Sequence, residues 1–197
     1  MNATPKWSEH NIARAIALQT LERKCLVMVD NCNWTGHECD VLAVTRDLRI
    51  IDIEVKISRA DLKADAQKDK WWHRPGWQWA DRDKPGAVAN LHPRKVWKHY
   101  YALPKEIWKP ELLDCLPSKA SGVLLLSWID NARSIRAPIA VDCIRRATPS
   151  KDAYRLTPEN VIDIARLANL RMWEAYARRD AAQAEASRLY QESRAAA

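Results

Sequence analysis

Between Glu38 and Lys56 the chain sets acids and a lysine where two neighbouring strands would bring them together. Glu38-Cys39-Asp40-Val41-Leu42-Ala43-Val44 and Ile50-Ile51-Asp52-Ile53-Glu54-Val55-Lys56 both read as strands, separated by the polar turn Thr45-Arg46-Asp47. Side chains alternate along a strand, so Asp52, Glu54 and Lys56 share one face while Ile51, Ile53 and Val55 share the other. If the turn closes a hairpin, Asp40 lies beside Glu54. Two carboxylates that close repel each other unless a divalent cation sits between them. The pattern therefore reads as a metal site, and removing either acid should relieve repulsion. The same alternation also describes any half-exposed antiparallel strand, and Glu-x-Lys alone carries little information.

The order of the surrounding elements adds to the triplet. A helix precedes the hairpin, a second helix opens at Ser58-Arg59-Ala60-Asp61, and further strands follow. An acid on one strand with Glu-x-Lys on the next resembles the PD-(D/E)XK nuclease superfamily. The run Asp40-Val41-Leu42-Ala43, then Ile53-Glu54-Val55-Lys56-Ile57-Ser58-Arg59-Ala60-Asp61, Asp65 and Lys70-Trp71, with Tyr100-Tyr101-Ala102-Leu103-Pro104 later, is similar to the MmcB-like DNA repair nucleases. The similarity extends over roughly residues 7 to 180 and is specific from Glu38 to Trp71.

This resemblance implies an α/β fold with a restriction-endonuclease-like core, a mixed central β-sheet flanked by helices. It also implies a metal-dependent DNA nuclease acting in DNA repair, recombination or phage DNA processing. Asp40 and Glu54, with the carbonyl of Val55, would hold Mg2+ or Mn2+. Lys56 would orient the attacking hydroxide or stabilise the phosphate, and Glu9 on the first helix would complete the site. Glu38 is a further candidate ligand, although the family usually carries a different residue there.

Length and composition suit one domain over residues 1–197, with a core that needs no disulfides. No run of eighteen apolar residues exists and the N-terminus lacks an apolar leader, which points to a cytoplasmic protein with no membrane partner. Five cysteines without dense clustering suit reduced thiols. Cys32, His37 and Cys39 offer soft ligands, but C-x4-H-x-C lacks a fourth partner at zinc spacing and Cys39 should face away from Asp40, so zinc is disfavoured. The glycines, four in all, form no phosphate loop, and no nucleophile elbow is present.

Charge is unevenly distributed. Residues 56–109 carry thirteen Lys and Arg against six Asp and Glu, so the whole net charge of +7 resides there. Such a surplus is the footprint of a phosphate-binding surface, or else of a solvated helix and loop. Arg59, Lys63 and Lys70 are expected on helix faces free for phosphate, with Asp61 and Asp65 as supporting residues. The aromatic and basic insert at 72–95, which departs from the family, follows Trp71 and contains Trp72, Arg74, Trp77 and Trp79. These residues either stack on unpaired bases of single-stranded or branched DNA, or fold back as a lid on the domain.

The remaining elements follow from caps and periodicity. Thr4-Pro5 predicts an N-cap and first helical turn, with Ile12, Ala13, Ile16 and Ala17 inward and Glu9 facing the sheet. The second helix is expected from Ser58 to Trp71. Strands are expected at Lys24–Val29, Val96–Leu103, Gly122–Trp128 and Arg133–Ile139. A long C-terminal helix occupies 157–195, and its tail from Arg178 either frays or joins another chain as a homo-oligomer. Two rival functions remain: a non-cleaving nucleic-acid-binding module on the same fold, and a protein-interaction scaffold.

Overall fold

The structure, a computed structural model, describes residues 6–73, 88–129 and 138–195. Its centre is a six-stranded mixed sheet in the order β1-β2-β3-β6-β7-β8. The first three strands, β1 (Cys25–Cys32), β2 (Cys39–Thr45) and β3 (Ile50–Val55), form an antiparallel meander. β3 then pairs in parallel with β6 (Val96–Pro104), β6 in parallel with β7 (Gly122–Trp128), and β7 antiparallel with β8 (Ile139–Arg145). A separate two-stranded ladder, β4 (Trp72–His73) with β5 (Val88–Ala89), marks the base of the insert. The architecture is therefore α/β, with helices α1 (Glu9–Ile16), α2 (Arg59–Ala64) and α3 (Pro158–Ala195) set around the sheet.

Three apolar clusters hold these layers together. Ile12 and Ile16 of α1 pack on Val41, Ala43, Ile51, Ile53 and Val55, the alternate residues of β2 and β3. Complete burial of an isoleucine stabilises by about 1.5 to 3 kcal/mol, so this stripe fixes α1 on the sheet. Ile164 of α3 packs with Leu42, Val44 and Ile50, which point the other way. Leu62 of α2 and Trp71 cover Tyr101, Leu103, Val123 and Leu125.

Several expected boundaries move. The cap of α1 is Ser8, whose side chain accepts from the Asn11 amide while Asn11 returns a bond to the Ser8 amide; Thr4 and Pro5 lie outside the described residues. The partner of β7 spans Ile139–Arg145, with Trp128 opposite Ile139, and residues 133–137 of the expected strand lie outside the described residues. The second helix stops at Ala64, because Lys68 adopts an extended backbone and the segment to Trp71 closes as two 3-10 turns. α3 opens on a Thr157–Asn160 reciprocal cap and remains helical and exposed through its tail, laced by pairs such as Arg188 with Glu185 and Glu192. No helix among the described residues is long and apolar enough to cross a membrane.

Candidate metal and nucleic-acid site

The hairpin register sets Val41 opposite Ile53 and Leu42 opposite Asp52, which carries Asp40 to the level of Glu54. Asp40 accepts a 2.6 Å hydrogen bond from the Val55 amide. Burial, and then the neighbouring Glu54 charge, raise its carboxyl from 3.8 to about 6 against the opposing pull of the Val55 amide, Lys56 and Lys68. Among the described residues no cation pairs with it directly. Asp40 opens on a groove lined by Glu9, His10, Asp30, Asn31, Arg178 and Arg179, between α1 and α3. Glu9 is thus near Asp40 but exposed, not turned toward the sheet: the helix begins at Glu9 itself, so the residue projects from the first turn.

Glu54 lives in a different environment. Its Oε2 receives Lys56 at 3.1 Å and Lys68 at 2.9 Å, while Lys70 closes tightly on Oε1. Burial works to raise its carboxyl, but Lys70 and Lys56 outweigh it, and the Asp52 and Asp65 charges, and hold it below the usual range. Asp65 is buried too: it accepts from the Tyr101 hydroxyl at 2.5 Å and the Trp71 indole at 3.0 Å, and pairs with Lys56 at 3.2 Å and Lys68 at 3.0 Å. Burial opposes ionisation of Asp65, yet Lys70 and Lys56 keep it well below its ordinary value. The extended backbone at Lys68, past the helix end at Ala64, is what allows Lys68 and Lys70 to reach back over β3.

Asp52, on the same face, completes the cluster. Parallel pairing sets Asp52 against His99 and Glu54 against Tyr101 on β6. Asp52 Oδ2 lies 3.1 Å from His37 Nε2, 3.8 Å from His99 Nε2 and 3.7 Å from Lys70. Burial raises the Asp52 carboxyl, and Lys70 and His37 more than reverse it. His99 is pushed from 6.5 down to about 4, chiefly by burial. Asn31 has a left-handed backbone at φ 46° within β1, whose pairing with β2 continues to Cys32 opposite Cys39, and both cysteines join the cluster of Val29 and Leu42. Cys39 lies beside His37 and Asp52, in the cluster of Leu42 and not with Val41.

The expected nucleic-acid residues divide. Arg59 and Lys63 are exposed, although Arg59 donates to the Ile107 carbonyl at 2.6 Å. Lys70 is 2 % exposed at its side chain and Trp71 1 % overall, so neither is free for phosphate or bases; the carboxylate cluster and the Tyr101 core take them inward. Trp72 is partly exposed, with its indole donating to the Ala66 carbonyl at 3.2 Å. Arg74, Trp77 and Trp79 lie outside the described residues. Glu38 is exposed, precedes β2, and borders a second groove with His37, Lys68, Trp72, His92 and Arg94, away from Asp40.

Reasoning from sequence did not single out Lys68 and His99; it set Asp52 on the face of Glu54 and Lys56 and His37 among the soft ligands, without bringing the two together. Alternation along Val96–Leu103 sets His99 and Tyr101 on one face, and Lys68 with Lys70 repeats the spacing of Glu54 with Lys56; these were the available signals.

No protein-family model matches the chain. No curated protein matches it either. A solved structure with a similar fold is the SPO1766 protein of unknown function from Silicibacter pomeroyi, with a TM-score of 0.51 and 19% identity over 88% of this chain and 91% of that one. At this identity the likeness is one of fold alone.

Proposed function

We propose that the chain is a metal-dependent DNA nuclease built on a restriction-endonuclease-like core, serving DNA repair, recombination or phage DNA processing. The observation that carries this reading is Asp40: partly buried, beside Glu54, without a cationic partner among the described residues, and raised to about 6. A carboxylate in that condition gains from a divalent cation. Asp40, Glu54 and the Val55 carbonyl would hold Mg2+ or Mn2+, which when bound acidifies water and neutralises charge on a scissile phosphate. Lys56, at 3.1 Å from Glu54, supplies a fixed positive charge for the phosphate in the transition state. Exposed Arg59 and Lys63 would meet the DNA backbone, and the insert at 72–95 would contact unpaired bases.

A second reading, a non-cleaving nucleic-acid-binding module, is favoured by one feature. Three ammonium groups already neutralise Glu54. Incubation with labelled single-stranded, duplex and branched DNA in Mg2+, Mn2+ or EDTA separates the two. Cleavage that needs the cation and disappears in Asp40→Asn supports the nuclease. Cleavage that persists in EDTA overturns the metal mechanism, and binding with no cleavage under any cation selects the module. Lys56→Ala is expected to bind DNA and metal but to slow cleavage by roughly 10²-fold or more.

A further inference from the structure

His37, Cys39 and Asp52 come from the loop before β2, the start of β2 and the middle of β3, yet one ligand atom from each lies within 4.8 Å of the other two. His37 Nε2 is 3.1 Å from Asp52 Oδ2, and Cys39 Sγ is 3.7 Å from His37 Nε2. A tetrahedral ion with bonds of about 2.0 to 2.3 Å to nitrogen, oxygen and sulfur spaces its ligands by comparable amounts. We propose that His37 Nε2, Cys39 Sγ and the Asp52 carboxylate form a binding site for one thiophilic divalent ion of the zinc class, separate from Asp40.

Three further observations support this assignment. First, two polar atoms at the cluster, Asp52 Oδ1 and the neighbouring His99 Nε2, have no hydrogen-bond partner among the described residues, and both residues are buried to 1 % exposure or less. An unsatisfied buried carboxylate oxygen is a costly feature that coordination removes. Second, the outer ring nitrogens are already held. Thr35 Oγ1 donates to the His37 carbonyl at 2.9 Å and lies 3.3 Å from His37 Nδ1, which sets the tautomer that frees Nε2; Ser121 Oγ lies 3.0 Å from His99 Nδ1. Metal-binding histidines are oriented in this manner. Third, His37 Nε2 and Asp52 Oδ2 face each other at 3.1 Å, a contact closed by a proton on Nε2 in the metal-free protein and open to a cation that takes the proton's place.

Lys70 is the opposing charge, 3.7 Å from Asp52 Oδ2. Its tighter contact is with Glu54, so coordination at Asp52 leaves the Lys70 ion pair in place. Binding replaces the Cys39 S–H bond with an S–metal bond and releases one proton to solvent. The soft-ligand spacing of the sequence pointed to Cys32, and the third ligand instead arrives from the neighbouring strand.

Titration of the metal-stripped full chain with Co2+ tests the site. The expected result is one equivalent that gives thiolate charge-transfer absorption and tetrahedral d–d bands, displaced by Zn2+ and untouched by Mg2+, while Co2+ at Asp40 and Glu54 gives no thiolate band. Cys39→Ser and His37→Gln should each abolish the charge-transfer band, Thr35→Val should weaken affinity about tenfold, and Asp40→Asn should leave the spectrum unchanged. His37 is partly exposed, so its variant keeps the test open if Cys39→Ser fails to fold. A wild-type titration with no thiolate band, or a band that survives His37→Gln, overturns the assignment. Loss of the band in Asp40→Asn would overturn the separation of the two sites.

Discussion

Asp40 and Glu54 stand at the same level of one hairpin, yet Asp40 faces a groove with no paired cation among the described residues while Glu54 is enclosed by Lys56, Lys68 and Lys70. Burial pushes both carboxyls upward. The outcome then follows the cations, with hydrogen bonds from His37 and Tyr101 beside them: Asp40 rises to about 6, and Glu54, Asp52 and Asp65 fall below their ordinary values. Lys56 follows β3 directly, whereas Lys68 and Lys70 come from the short segment after α2, so the geometry of that backbone decides which acid is compensated and which is left without a cation.

The largest expected effect is on Glu54. Its removal leaves three lysines near a buried, unpaired position, and breaking a buried pair from one side costs about 3 to 5 kcal/mol. Glu54→Ala should therefore be strongly destabilised in denaturant unfolding at pH 7. This reverses the strain relief expected from two repelling acids, because Glu54 sits closer to ammonium groups than to an uncompensated carboxylate. A loss under about 1 kcal/mol would mean that the cluster is not ion-paired as described.

His99 predicts a pH dependence. Its value is lowered from 6.5 to about 4, so between those limits the unfolded chain binds the proton that the native state refuses. Stability should rise with pH through this window and be lost as pH falls toward 4, by about 3 kcal/mol. His99→Gln should flatten that slope in unfolding experiments from pH 4 to 7. An unchanged slope would place the titration elsewhere.

Asp40 should act in the opposite direction and more weakly. Its raised carboxyl means the native state holds a proton that the unfolded chain releases between about 4 and 6, so this contribution falls as pH rises. Asp40→Asn should gain about 1 kcal/mol at pH 7 to 8, discounted for partial solvent screening. The gain should vanish below pH 4. A variant less stable than the wild type at pH 8 would show that the Val55 contact outweighs the repulsion.

Much of the strand frame was legible because alternation and β-branched runs are local signals: Gly122–Trp128 forms β7 and the Asp40 and Glu54 strands form the hairpin. What sequence could not supply was cover. Alternation puts Asp52, Glu54 and Lys56 on one face, but whether that face meets water depends on the segment from Asp65 to Trp71 folding back over it. Helical periodicity continues smoothly through Lys68, whereas the backbone turns extended there, with Lys68 paired to Glu54 and Asp65 and Lys70 to Glu54. The ligand set of His37, Cys39 and Asp52 was hidden for a related reason. Its members sit on different elements, and Cys39 packs with Leu42 where simple alternation along β2 would set it with Val41.

The smallest effect concerns the surface charges, and it separates lysines that face solvent from those that face the cluster. Lys63 is exposed, while Lys70 is enclosed by acids. Lys63→Ala should change stability by no more than about 0.5 kcal/mol. If the surface of α2 meets a phosphate backbone, the same substitution should reduce the dependence of DNA affinity on salt by about one unit in the log-log slope. Arg59→Ala should behave alike, with a slightly larger loss of stability from its bond to the Ile107 carbonyl. Lys70→Met should show the reverse pattern, a stability loss with an unaltered slope, since a lysine neutralised by Glu54 and Asp52 releases no counterion from DNA. Equal slopes for wild type, Lys63→Ala and Arg59→Ala would remove α2 from the DNA-binding surface and transfer the search to the groove beside Trp72 and Arg94.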